Sequence, residues 1–362
     1  MSSAIACAPL STPLSARRPL YVQTAVALLL SLGVGAYFWV DSRYPALLKK
    51  LHSGKGIKVS GAISFDALFP VTAGMTLFTR VWHTAANWMW TNRIGMTFGI
   101  CFGAAALTLL ATLPRRRFRS PFANTLLGAI TGVPLGVCAN CVAPIGQGLF
   151  TAGASANTVL ATMISSPTLN IVVLAMALSL FPLKIALVRL AVPLVLIAMV
   201  PWIVRRTSPA EPELCALPSS DGWLQPTSGS IWMFLRNLAR LAVTTIPLMI
   251  LAALLGALVA ELLPAQNLPV QVSLPGIVLV ALVGTFLPVP MAFDVAAAFV
   301  LMSRGVPMPY VVTLLCTLGA FGIYPFLILG RTVSWRTAAM LFGAVMALGV
   351  VAGVGTAFAY GF

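Results

Sequence analysis

Two cysteines three residues apart lie in a segment that is apolar enough to cross a lipid bilayer. The window 132–150 contains Cys138 and Cys141 together with Asn140, two prolines and four glycines. Side chains three residues apart project to one face of a helical turn. Thiolates are soft ligands that select copper(I), zinc and, by the same softness, trivalent arsenic. Buried cysteines also behave as small hydrophobes, so the pair alone leaves two interpretations open.

The helix breakers around the cysteines favour a binding site. Pro134 and Pro144 bracket the Cys138–Cys141 turn. Non-helical backbone at membrane depth is tolerated only where it is buried in protein or lines a wet cavity. We therefore expect Cys138, Asn140, Cys141 and Pro144 to contribute to a substrate-binding site, with the two sulfurs as soft ligands.

A second interruption is predicted downstream, at Ser166, Pro167 and Asn170. Serine hydroxyls in membrane helices often only bond back to their own backbone. An asparagine at membrane depth needs a polar partner, however, and here it follows a proline by one turn. The pattern predicts that Ser166, Pro167 and Asn170 also line the path.

The second half of the chain carries a similar proline-rich interruption, at Pro288 and Pro290, and Gly305 follows it. Asp294 is the acid that lies well inside this apolar region. A charged side chain there costs roughly 2.5–3.5 kcal/mol on insertion scales and marks an ion or proton pathway by default. Asp294 is therefore predicted to couple protons to transport. The structural alternatives are an ion pair with Arg304 or a permanently protonated carboxyl.

The composition indicates an integral membrane protein. Of 362 residues, 59% are hydrophobic and 8% are charged, whereas soluble domains carry about 25% charged residues. Continuous apolar runs near the roughly 20 residues of a spanning helix exclude a barrel and predict a polytopic α-helical bundle. These runs are 20–40, 92–113, 156–180, 184–204, 238–262, 307–329 and 337–361.

The net charge of +15 is interpreted as topology signal and not as a nucleic-acid surface, because arginines flank the apolar runs. Three groups are predicted to be cytoplasmic: Arg115, Arg116, Arg117 and Arg119; Arg205 and Arg206; Arg331 and Arg336.

The membrane region divides into two similar halves. A shift of 152 residues places Gly132 on Gly284 and Gly153 on Gly305 (132 + 152 = 284; 153 + 152 = 305). We predict about 10–11 transmembrane or broken segments arranged as an inverted-topology repeat, whose interrupted segments form the substrate site. The predicted regions are an N-terminal anchor helix with an extramembrane or interfacial part (1–91), a first repeat (92–204), a cytoplasmic linker (205–231) and a second repeat (232–362).

These residues resemble the YraQ/ArsP-type family of predicted permeases. That family has a cysteine-rich turn before a proline, a glycine nine residues later, and Ser-Pro-x-x-Asn about fourteen beyond. The matching positions here are Cys138, Pro144, Gly153, Ser166-Pro167 and Asn170. Family members usually have Cys-x-Cys followed by Ser, whereas this chain has Asn140 at the second cysteine position and Cys141 at the serine position. The resemblance implies a multi-pass permease of the inner membrane, in a family with one branch that exports trivalent organoarsenicals by cysteine coordination.

The function predicted is secondary transport, in the export direction, of a small solute such as a soft metalloid. The chain lacks the G-x-x-x-x-G-K-[ST] phosphate loop of an ATP-driven pump. No enzymatic activity, cofactor or nucleic-acid partner is expected; the partners are the bilayer and the substrate, and the oligomeric state is left open. The alternative is a transmembrane dithiol redox protein that uses Cys138 and Cys141, since C-x-x-C is also the spacing of thiol–disulfide exchange.

Overall fold

The computed structural model describes residues 17–45, 68–72, 74–112, 118–207, 209, 225–262 and 272–360, and their regular structure is helical throughout. A π-helical turn, Trp39–Arg43, extends the first helix. The helices are α1 (Arg17–Phe38), α2 (Leu77–Thr112), α3 (Pro121–Leu135), α4 (Ala139–Thr151), α5 (Ala156–Thr168), α6 (Ile171–Leu180), α7 (Leu183–Thr207), α8 (Gln225–Leu262), α9 (Leu274–Phe286), α10 (Phe293–Ser303), α11 (Met308–Thr317), α12 (Ile323–Thr332) and α13 (Trp335–Tyr360).

Five of these helices, or their central parts, are long and apolar enough to cross a membrane. They are Gln23–Asp41, Leu77–Leu110, Leu183–Thr207, Gly229–Leu262 and Trp335–Tyr360. The pair α5 and α6 is together long and apolar enough for a sixth span, or for a re-entrant loop, and is bent by 42° at its break. The prediction of an all-α polytopic membrane protein is thereby confirmed.

The observed helices differ from the predicted runs in two ways. The runs that start at 92 and 238 belong to longer helices, which begin at Leu77 and Gln225. The run 307–329, predicted as one span, is instead two short helices separated at 318–322. Gly319, in the left-handed conformation with φ 79°, lies between these two helices. Hydropathy alone does not reveal a helix end inside such an apolar run.

The short helices start where local caps satisfy their first amides. Ser120, Ser155 and Ser273 accept hydrogen bonds from backbone amides three residues on, at the starts of α3, α5 and α9. Such caps compensate for the unpaired N–H groups of a first helical turn. Inside a membrane these caps matter more, because water is not available to satisfy the backbone.

The two halves share one layout. Helices α5, α6 and α7 begin at Ala156, Ile171 and Leu183, and α11, α12 and α13 begin 152 residues later (156 + 152 = 308; 171 + 152 = 323; 183 + 152 = 335). Gly153 and Gly305 occupy the same place in the two halves and both have positive φ, 97° and 78°. The likeness predicted from sparse identities is therefore present in the helix bounds, while the opposite orientation of the halves stays a prediction.

The packing within each half also repeats. The pairs α3–α5, α3–α7, α5–α7 and α4–α5 are in contact, and so are the matching pairs α9–α11, α9–α13, α11–α13 and α10–α11. Gly132 packs against the Ser165 hydroxyl, and Gly284 packs against the Thr317 hydroxyl at the matching positions. Such small residues allow helix backbones to approach closely in lipid.

Contacts between the halves repeat in the same way. Helix α4 packs on α12 and α10 packs on α6, while α2 packs on α8 and α7 on α13. The breaks after α3 and α9 therefore lie at the interface between the halves. Helix α1 packs on the surface of this core, in contact with α2 and α8.

Some predicted features fall on residues outside the described part of the chain. These are the arginines 115–117, most of the linker 205–231, and the region 46–67.

Candidate functional site

The cysteine turn begins where α3 ends. Gly136, in the left-handed conformation with φ 58°, terminates α3, and Cys138 is the N-cap of α4. The sulfur of Cys138 accepts a hydrogen bond from the amide of Cys141 at 3.2 Å. The break is therefore built by a glycine that reverses the chain and by a cysteine that caps the next helix.

The sulfurs of Cys138 and Cys141 are paired as a disulfide, with Cα atoms 5.1 Å apart. Their residues are 4% and 2% exposed. A disulfide sulfur is not a thiolate, so soft-ligand chemistry at this turn requires the reduced pair. The geometry brings both sulfurs to one point, which the i, i+3 spacing predicts.

A line of glycines on α2 presses against the cysteine turn. A Cβ added at Gly95 would lie 2.6 Å from the sulfur of Cys141, and one at Gly99 would overlap the carbonyl oxygen of Cys141. At Gly103 the added atom would lie 2.8 Å from the carbonyl oxygen of Pro144. Pro144 is buried inside α4. The glycines of α2 thus leave just enough room for the backbone of α4 around Cys141 and Pro144.

Asn140 connects the first break to the second half. Its Nδ2 donates a hydrogen bond to the carbonyl oxygen of Val289 at 2.9 Å. Val289 lies between Pro288 and Pro290, in the segment that separates α9 from α10. The side chain is 1% exposed, and its Oδ1 has no hydrogen-bond partner among the described residues. Asn140 is therefore held on one side and has a free acceptor on the other.

Asn170 makes a second connection of this kind. Its Oδ1 accepts a hydrogen bond from the amide of Val172 at 2.8 Å and so caps α6, while Nδ2 lies 3.1 Å from the sulfur of Met291. Ser166 closes the site from α5, because its hydroxyl accepts from the amide of Val137 at 3.3 Å. Pro167 is buried in the last turn of α5. The two breaks predicted in the first half thus meet each other.

The second-half prolines are placed differently. Pro288 is buried against α8, where a Cβ added at Gly256 would lie 2.6 Å from its Cδ. Pro290 is half-buried and precedes Ala292, which has φ 64° and is the N-cap of α10. Gly305 is exposed and follows the other end of α10, roughly 16 Å away along the helix axis. The structure does not bring Gly305 into the site with the prolines.

Asp294 is paired with Arg189 and not with Arg304. The Nη2 of Arg189, on α7, donates to Oδ2 of Asp294, on α10, at 2.7 Å, and the two side chains are 1% and 4% exposed. Arg304 lies ten residues beyond Asp294 at the end of α10 (304 − 294 = 10), about 15 Å along the helix. The alternative pairing with Arg304 is therefore wrong.

Sequence reasoning did not single out three further residues on the helices and segments that form the candidate site. Arg189 is an arginine inside a predicted span, and that was the available signal. Met291 supplies a thioether sulfur beside Asn170. Gln147, seven residues after Asn140 on α4, donates to the hydroxyl of Thr244 at 3.1 Å and leaves its buried Oε1 without a partner among the described residues.

The site is shielded from solvent in this structure, because its cysteine, asparagine and serine side chains belong to residues that are at most 4% exposed. Cavities of about 700, 480 and 370 Å³ lie between other helix faces, and the residues predicted for the site do not line these cavities. Among the described residues, no group of three or more His, Cys, Asp or Glu side chains is arranged to hold a metal ion.

Comparison with known proteins agrees with this architecture. The model of the ArsP_1 family, described as predicted permease, matches residues 99–358. The UPF0718 protein YraQ of Escherichia coli strain K12 is 31% identical over 252 residues, which cover 68% of this chain and 70% of that protein. No solved structure matches the chain. The chain belongs to the ArsP_1 family of predicted permeases, and it is a multi-pass membrane permease.

Proposed function

We propose that this permease is a secondary exporter of a small solute, located in the inner membrane of a bacterial-type cell. The observation that carries the proposal is the hydrogen bond from Asn140 to Val289, which joins the interrupted segments of the two halves. Interrupted helices that meet at a repeat interface form the substrate sites of many secondary transporters. An inverted-topology relation between the halves is part of the proposal, because it would place both breaks near the membrane midplane.

The substrate proposed is a soft, thiol-reactive metalloid such as a trivalent organoarsenical. Cys138 and Cys141 lie side by side in one buried turn. When the pair is reduced, both thiols can bond to one arsenic atom, with two hydroxide ligands of the arsenical leaving as water. Soft sulfur ligands favour such a centre over the harder ions that carboxylates bind.

The polar side chains around the turn are proposed to line the path. Asn140 offers its free Oδ1, and Asn170 and Ser166 reach the same region from α6 and α5. These side chains make hydrogen bonds to backbone amides, a carbonyl and a thioether, and the bonds fix the backbone where the helices are interrupted. Pro288 and Pro290 disfavour continuous helix between α9 and α10, whereas Pro144 and Pro167 lie inside α4 and α5.

Asp294 is proposed as the proton-coupling residue. It is 3% exposed, in a region where an acid is rare and functional by default. Its partner Arg189 belongs to the other half, so protonation of the carboxyl would weaken a link between the halves. A proton that enters against substrate export would make the carrier an antiporter.

A resistance assay tests the transport proposal. The chain is expressed in an arsenic- and metal-sensitive host, and growth is measured on trivalent organoarsenicals, arsenite, copper and zinc. We expect resistance to at least one soft species, lost in Cys138→Ser and in Cys141→Ser and retained in the control Cys101→Ser, which removes a free thiol on α2. Resistance that is unaffected by removing both Cys138 and Cys141 would exclude them as ligands.

A second candidate function is dithiol redox chemistry, and the paired sulfurs of Cys138 and Cys141 favour it. The remaining described cysteines, Cys101 and Cys316, are free and do not pair with each other. A redox protein would cycle between thiol and disulfide in the cell. Acid quenching followed by alkylation measures this: a pair that changes state with electron supply supports the redox function, and a pair that stays in one state during transport excludes it.

A further inference from the structure

The guanidinium of Arg189 has more hydrogen-bonding capacity than its surroundings use. One nitrogen, Nη2, donates to Asp294, while Nε and Nη1 have no hydrogen-bond partner among the described residues. Arginine is permanently charged and all of its polar hydrogens are donors. The side chain is 1% exposed, so these donors are withdrawn from water as well.

The surroundings of this arginine are apolar. Its neighbours on α7 include Ile185, Val188 and Val192, which pack in one hydrophobic cluster with Val295 of α10 and Val312 of α11. Unsatisfied donors in such a medium cost several kcal/mol each. A ligand that accepts hydrogen bonds and carries negative charge would satisfy them.

The N-terminus of α10 also contributes positive electrostatic potential at the Arg189–Asp294 pair. Asp294 lies in the first turn of α10, and the N-cap of that helix, Ala292, provides no side-chain hydrogen bond. Helix N-termini favour negative charge through their free amides and the helix dipole. The Asp294 carboxylate is thus an internal anion, held between a helix start and a guanidinium.

We propose that Arg189 is the binding site of a small monovalent anion, which takes over the role of the Asp294 carboxylate when that carboxyl is protonated. The balance is one for one: a proton bonds to a carboxylate oxygen, Asp294 becomes neutral, and one anion pairs with Arg189. The total charge buried at the site is then unchanged. The substrate class is a halide-sized or small planar anion that accepts hydrogen bonds from Nε and Nη1.

Few other groups can act on this site. Cys316, on α11, is buried and interacts electrostatically with both Arg189 and Asp294. Tyr310, on the same helix, is engaged through its hydroxyl with the amide of Ser273 at 3.1 Å. The remaining charged or titratable side chains described on α7, α10 and α13 are exposed, and these are Lys184, Arg205, Arg206, Arg304, Arg336 and Tyr360.

The inference rests on the proposed proton uptake by Asp294, but anion binding can be tested without transport. The full chain in lipid nanodiscs is titrated with chloride, nitrate or thiocyanate against gluconate at constant ionic strength, and the thermal midpoint is measured. Asp294→Asn mimics the protonated carboxyl, so we expect its midpoint to rise by a few degrees and to saturate, because a ligand that binds the folded state stabilises it. The double variant Arg189→Gln with Asp294→Asn removes both charges together, so neither is left unpaired, and its midpoint should not respond.

The outcomes separate cleanly. A midpoint of Asp294→Asn that responds to no anion, or a double variant that responds equally, overturns the proposal; the second result would indicate an adventitious ion only. If Asp294→Asn does not fold, Asp294→Ala is titrated in the same way: a saturable anion response supports the site, and no response overturns it. A saturable anion response together with transport that ignores a pH gradient would remove proton coupling while the anion site stands.

Discussion

The side-chain amide of Asn140 donates from Nδ2 to the carbonyl oxygen of Val289 at 2.9 Å, across 149 residues of sequence. The bond joins the first interruption of one half to the first interruption of the other. The donor comes from the first turn of α4, and the acceptor comes from the proline-flanked segment between α9 and α10. The link between the two interruptions is therefore made by a side chain that sequence alone marks only as polar.

Asn140→Ala should weaken both stability and transport. The substitution leaves the carbonyl of Val289, which is 7% exposed, without its partner, and we expect the free energy of unfolding to fall by about 1–3 kcal/mol. Thermal unfolding in detergent or nanodiscs measures this. Asn237→Ala is the matched control, because it removes a hydrogen bond to Thr108 between α8 and α2, away from the breaks. Both variants should lose stability, and only Asn140→Ala should lose transport at a temperature where both are folded; equal transport in the two would count against the role of Asn140.

Gly99→Ala should disrupt the contact between α2 and α4. The added methyl group would overlap the carbonyl oxygen of Cys141, and backbone cannot move aside as a flexible side chain can. We expect a loss of roughly 1–3 kcal/mol from overpacking, measured as a lower thermal midpoint. Gly355→Ala is the control, since no atom lies within 4 Å of the added carbon, and it should be neutral or stabilising by up to about 1 kcal/mol because alanine favours the helix. A Gly99→Ala variant as stable as Gly355→Ala would show that the two helices lie further apart.

The two repeats should place matching residues on opposite sides of the membrane. Lys184 and Arg336 are exposed at the starts of α7 and α13, and they correspond by the shift of 152 (184 + 152 = 336). In a background whose native cysteines are replaced by serine, Lys184→Cys should react with a membrane-impermeant maleimide from outside the cell, and Arg336→Cys only from the cytoplasmic side. The orientation follows from the arginines that flank these helices. Labelling of both positions from one side would exclude the inverted arrangement.

Gly305→Ala should cost about 1–2 kcal/mol through backbone conformation alone. Gly305 has φ 78° and no atom within 4 Å of an added Cβ, so crowding does not contribute. Left-handed conformations are unfavourable for residues with a Cβ, while asparagine tolerates them better. Gly305→Asn should therefore retain more stability than Gly305→Ala in a thermal melt. Equal losses in the two variants would point to a role other than chain conformation.

The helical class, the breaks at 136–138 and 169–170, and the repeat spacing could be predicted from the sequence, because each has a local signal. Gly136 ends α3 and Asn170 caps α6, and both residue types are common at helix ends. Proline alone is a weaker signal here, since Pro193 and Pro247 lie inside continuous helices. The division of 307–329 into two helices had only glycines as a signal, and glycine alone does not distinguish a helix end from a close helix contact.

The partners of the site residues could not be predicted, because they come from distant segments. Arg189 lies inside the predicted span 184–204, but only the fold brings it to Asp294. Asn140 was predicted to contribute to the substrate site, but its partner is the backbone carbonyl of Val289, and a backbone carbonyl has no sequence signature. Sequence reasoning therefore located the polar groups and left their pairing to the tertiary structure.

The glycine line on α2 has a mechanical consequence. Where Gly95, Gly99 and Gly103 meet α4, backbone touches backbone, so these two helices have little freedom to slide and should travel as a single rigid unit. The links from this unit to the opposite half include the neutral bond of Asn140 to Val289, a weak interaction of about 1 kcal/mol that thermal motion can release. Exposure of the cysteine turn to one side of the membrane and then the other would begin with separation of α4 from the segment around Val289. The contact between α2 and α4 would stay intact throughout.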